Sequence, residues 1–195
     1  MSSLAVASSS FSECYAKVLQ LPPPLLNPAK ASDATLTDQI SSLYLHPTIE
    51  IALHILNNDL ISAHFLVRHM EAKPAYEAMF LHGVLHRIEG DYDNARAWYN
   101  DVADTEVFKS VWSSKEQGLQ LIQDVEDFSQ HKKTGSKVDL EKRSLDEIKR
   151  TVDFLVVKFS KERWQNVEGE WNYAEGEGKE IKHEMILGKK GFRDF

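Results

Sequence analysis

The sequence predicts an all-α fold of stacked helical hairpins followed by an irregular C-terminal tail. Three observations predict it. Apolar residues recur at helical spacing from about residue 35 to 164. Glycine is rare from 35 to 130, where only Gly83, Gly90 and Gly118 occur. One helix–turn–helix pattern occurs twice, 32 residues apart. The chain divides accordingly into a leader, short helix and proline-rich linker (1–34), a helical-repeat domain (35–164) and a glycine-rich tail (165–195).

The elements follow in order. Phe11, Tyr15, Val18 and Leu19 form one stripe, so 11–20 reads as a short helix behind a serine-rich leader. Pro22, Pro23 and Pro24 stop it, because each lacks an amide donor and fixes its own φ. Residues 21–34 then read as a linker draped over the surface. Pro47 suits a first helical turn, where its missing donor is not needed. Ile49, Ala52, Leu53 and Leu56 continue that helix to an Asn57-Asn58-Asp59 turn. Leu60 to Met70, Tyr76 to Glu89 and Tyr92 to Val102 are further helices, broken at Lys73-Pro74 and Gly90-Asp91. Ser113 to Glu116 and Ser144 to Glu147 each read as a capping box, in which serine and glutamate satisfy orphan backbone donors. The helix after the second carries Leu145, Ile148, Val152, Leu155 and Phe159 on one face. The tail holds five of the nine glycines, which disfavours helix there by about 1 kcal/mol each relative to alanine.

Composition narrows the function classes. The chain has 195 residues and a net charge of -7. A duplex-DNA binder needs a basic face, so nucleic acid is not expected as a partner. No apolar run approaches the ~20 residues that span a bilayer. Met1 to Ser10 has no positive n-region, so no signal peptide is expected, and the location predicted is cytoplasmic. The single Cys14 forms no internal disulfide, and Lys17 is its only close basic neighbour, which is weak activation for a catalytic thiolate. No phosphate loop or serine nucleophile elbow is present. No cofactor is implied.

The repeat is the most informative feature. Ala52 to Ala63 aligns with Val84 to Ala95, with Leu53/Leu85, His54/His86, Asp59/Asp91 and Ala63/Ala95 identical. One hairpin cannot bury its own apolar face, whereas stacked neighbours can. In the second copy Gly83, Gly90, Tyr92, Ala95 and Tyr99 resemble the pattern of a tetratricopeptide repeat. The resemblance implies a close helix contact, a turn and interlocking aromatics at those positions. His82 and His86 depart from it, and the customary closing proline is absent near Val107. The longer stretch from His82 to Tyr99 also resembles a small family of fungal proteins with bacterial relatives. Some of its members are accessory proteins of secondary-metabolite gene clusters, fusaric acid biosynthesis among them. That resemblance implies a pathway setting and no reaction mechanism.

Six of the eight histidines fall between His46 and His86. The offset maps Glu50 onto His82 and His54 onto His86, and each i, i+4 pair shares a helix face. Stacked in register, Glu50, His54, His82 and His86 would make a polar cluster facing a cleft. One carboxylate with three imidazoles suits a divalent metal or acid–base chemistry. The alternative is that they are core histidines bonded to backbone or carboxylates. Arg87 is read either as part of a solvated, ion-paired surface or as the holder of a ligand carboxylate through a bidentate pair. Trp98 and Tyr99 are read as core in preference to ligand stacking. The function expected is an accessory or binding protein acting through its helical surface on a protein partner or a small carboxylic acid. The alternative is a small enzyme or a ligand- or metal-binding protein built on Glu50, His54, His82 and His86.

Overall fold

The computed structural model describes residues 10–132, 135–164 and 170–171. Among them are nine α-helices and no strand: α1 (Phe11–Val18), α2 (Ala34–Ser41), α3 (Pro47–Leu56), α4 (Leu60–Val67), α5 (Tyr76–Glu89), α6 (Tyr92–Val102), α7 (Glu106–Val111), α8 (Lys115–Ser129) and α9 (Lys137–Phe159). No helix among the described residues is long and apolar enough to cross a membrane. The expectation of an irregular tail falls outside the described residues, apart from Glu170 and Trp171.

The closest helix pairs are α3 with α4 and α5 with α6, the two copies of the repeat. Their turns share one geometry. The residue before the aspartate takes positive φ in both, 56° at Asn58 and 91° at Gly90. The Asp59 amide donates to the His54 carbonyl at 2.9 Å, as the Asp91 amide does to that of His86. Each aspartate then caps the second helix, accepting from the amide of Ser62 or Asn94. The four identical residues therefore encode a turn as well as a packing contact. Ala63 and Ala95 are fully buried. Gly83 allows α5 to sit on α6: a Cβ there would lie 2.8 Å from the Tyr99 ring. Ala95→Leu is expected to destabilise by about 1–3 kcal/mol through overpacking, read as a lower denaturant midpoint.

Helix α9 runs through the predicted second capping box. Its N-cap is Ser136, bonded to the Asp139 amide. The residues Ser144 and Glu147 lie mid-helix and are buried. The first predicted box is not formed at Ser113 either: α8 is capped by Ser114, which accepts from the Gln117 amide. Helix α9 packs on α3, α7 and α8 through Leu140, Ile148, Val152 and Leu155. At its C-terminal end, His46 stacks on Phe159 with ring centroids 3.6 Å apart and meets the edge of Trp164. Its Nε2 lies 3.2 Å from Glu170, and Trp171 lies against His69. Burial holds His46 below the ordinary imidazole range despite that carboxylate.

Candidate functional site

The sequence-derived cluster is divided between two groups. His54 sits on α3 with Glu50 one turn earlier, and its Nε2 lies 3.6 Å from the Glu50 carboxylate. Its Nδ1 lies 3.2 Å from Asp59, the N-cap of α4. Thr37 donates to Asp59 at 2.8 Å, and Ser41 donates to Glu50 at 3.1 Å. Burial alone would strip the His54 proton, but contact with Asp59 and then Glu50 outweighs it and raises His54 above the ordinary imidazole range. The same contacts, led by His54 and joined by Thr37 and Ser62, overcome burial and hold Asp59 well below the usual carboxylate range.

Ser41 Oγ lies 3.5 Å from His54 Nε2, so Ser41, His54 and Asp59 have the outline of a nucleophile–base–acid triad. The electrostatics oppose that role. A base must be neutral to take a proton, and the two carboxylates beside His54 favour its charged form. The group acts as a clasp joining α2 to the α3–α4 turn.

His82 and His86 form the second group, with His64 of α4. The His82 and His86 rings stack 4.6 Å apart, and His82 also stacks on Trp98 at 4.8 Å. His64 meets both edge-on. Glu89 lies 2.8 Å from His64 and 3.8 Å from His86, whose Nδ1 is also 3.6 Å from Asp91. Burial, then the proximity of His64, lowers His86 below the usual imidazole range. His54 and His86 occupy the same place in each repeat turn, each beside the aspartate five residues on, and they make no ion pair or ring contact with one another. Among the described residues no three His, Cys, Asp or Glu side chains are grouped to hold a metal ion, so the metal reading of Glu50, His54, His82 and His86 is not carried further.

Arg87 is neither solvated nor open to a ligand. It is fully buried, and its Nη2 donates to Glu147 at 2.8 Å and to Ser144 at 3.0 Å. Tyr99 donates to the other Glu147 oxygen at 2.5 Å, and Trp112 Nε1 does so at 3.0 Å. The carboxylate that Arg87 holds is the protein's own, supplied by the supposed capping box. Trp98 and Tyr99 both serve packing, Tyr99 wholly buried and Trp98 under His82.

No sequence pattern marks the open recess beside these groups. Asn57 and Asn58, at the α3–α4 turn, clamp the proline-rich linker. Asn57 exchanges side-chain bonds with the Asp33 backbone, and its carbonyl accepts from Ser32. Asn58 donates to the Pro22 carbonyl and to the Ser32 hydroxyl. The linker becomes a strap, and residues 27–31 wall a cleft of about 430 Å³ against α4. Ile61, Phe65 and Pro28 give it apolar surface; Lys30, Arg68, His64, Asp59 and Glu89 give it charged and polar surface.

Comparison with protein-family models, curated proteins and solved structures finds no match.

Proposed function

We propose that the protein is a binding protein, an accessory component that acts through the helical surface around the strap–α4 cleft. The observation that supports this reading is the contrast between its acid–base groups and its open recess. His54 is locked between Glu50 and Asp59, and Arg87 is sealed around Glu147. The cleft is accessible, lies within the range of small-ligand sites and mixes apolar with charged surface. A tetratricopeptide-like reading of α3 to α6 fits, since such hairpins work as recognition scaffolds. The resemblance around His82 to Tyr99 adds the setting of a fungal secondary-metabolite pathway of the fusaric acid type.

Replacement in the native organism tests the reading. Ala29→Trp fills the cleft from the exposed strap and is expected to reproduce the phenotype of a gene deletion. Ser41→Ala removes the hydroxyl beside His54 and is expected to leave function intact. The reverse result, with Ser41→Ala inactive while folded, would favour the enzyme reading built on Glu50, His54, His82 and His86.

A further inference from the structure

We propose that the strap–α4 cleft binds a small organic anion, its acidic group on Arg68 and Lys30 and its apolar body against Ile61, Phe65 and Pro28. This rests on the reading of the cleft as the recognition surface and adds the chemistry of what it takes. The chain as a whole is acidic, with a net charge of -7, so a recess presenting available positive charge stands out against it.

Four formal charges apart from His64 line the cleft, and they differ in how they are engaged. Asp59 is bound to His54, Thr37 and the Ser62 amide. Glu89 is turned to His64 and His86. Both carboxylates therefore already face partners within the protein. Arg68 and Lys30 have no carboxylate at ion-pair distance among the described residues, although Arg68 lies close enough to Glu89 to help lower its pKa. A guanidinium at the edge of an apolar floor recognises a carboxylate through two parallel hydrogen bonds. Ile61, 86% exposed, and Phe65 lie one turn apart on α4 and offer the contact area that a simple inorganic anion would leave unused. A cleft of about 430 Å³ suits a molecule of small-metabolite size. The Asn57–Asn58 clamp holds the strap in place before any ligand arrives, which lowers the ordering cost of binding.

Titration calorimetry of the full chain with octanoate and benzoate tests this, with octanamide, benzamide and benzylamine as matched neutral and cationic probes. At least one acid is expected to bind saturably, with affinity falling as salt rises, and its amide to bind at least about tenfold more weakly. Arg68→Gln is expected to weaken that acid by about tenfold or more. Arg68 closes α4 through backbone bonds that glutamine keeps, so the variant should fold, and an unchanged melting temperature would confirm it. Asn58→Ala, which frees the strap, should weaken acid and amide alike. Absence of binding by either acid, equal binding of acid and amide, or preference for benzylamine would each overturn the proposal. If Ala29→Trp still abolishes function in cells, that failure concerns the ligand class, and the cleft remains the recognition surface.

Discussion

Glu147→Ala is expected to be among the most damaging single substitutions in this protein, lowering stability by about 3–5 kcal/mol. Arg87 and Glu147 are both buried, and removing the carboxylate leaves a guanidinium in the core without its counter-charge. The Tyr99 hydroxyl and the Trp112 indole lose their acceptor in the same step. Burial, the largest cause of the raised Tyr99 pKa, remains when the carboxylate is removed and still disfavours a compensating phenolate. Glu147→Gln should cost less, since the amide oxygen can still accept from one donor. Arg87→Met combined with Glu147→Leu should fall between wild type and Glu147→Ala, because it removes the buried charges and still strands Tyr99 and Trp112. Urea midpoints of the three variants order these costs. A Glu147→Ala unfolding free energy within about 0.5 kcal/mol of wild type would show that the network contributes nothing net.

Helical periodicity exposed most of this fold because amphipathic stripes are local. The spans Tyr76 to Glu89 and Tyr92 to Val102 coincide with α5 and α6. The helix α7 escaped because it has six residues, too short for a stripe, and α2 was not singled out within the helical region. The start of α9 was misplaced because Ser144 and Glu147 have capping-box spacing as well as the spacing of two inward positions one turn apart. Only the distant partners Arg87, Tyr99 and Pro24 decide between these, and spacing carries no information about them.

The repeat shows the same limit at the candidate site. Identity at His54/His86 and Asp59/Asp91 marked positions that share a turn geometry, and the structure places each histidine beside its aspartate. The offset suggests Glu50 beside His82 and His54 beside His86, whereas the contacts that the shared spacing describes lie within each copy. His64 was missed because it has no histidine counterpart in the second copy, where Arg96 stands. The cleft was hidden for a different reason. Its wall is a linker with no periodicity, positioned by asparagine bonds spanning 24 to 36 residues.

His54→Gln should be the second large effect, about 3–5 kcal/mol near pH 6, because Glu50 and Asp59 are buried and lose the positive charge between them. Its pH dependence carries the functional information. The folded-state pKa of His54 is raised, so its contribution is fully present below the unfolded imidazole value, about 6.5, and is lost as pH rises through the folded value. Asp59 is depressed, so its contribution is present above the unfolded carboxylate value, about 3.9, and is lost as pH falls through the folded value. The difference in stability between wild type and His54→Gln should therefore peak between those limits and shrink on either side. The wild-type profile alone does not isolate this effect, because His46 and His86 are lowered and their contributions run the opposite way, rising with pH. Both are common to wild type and variant, so the difference cancels them. Urea unfolding at steps from pH 4 to 9 reads it directly. A difference that instead rises from pH 5 to about 7 and then levels off would mean that His54 is neutral in the fold. Ser41 would then face a competent base, and the clasp would have to be reconsidered as a catalytic pair.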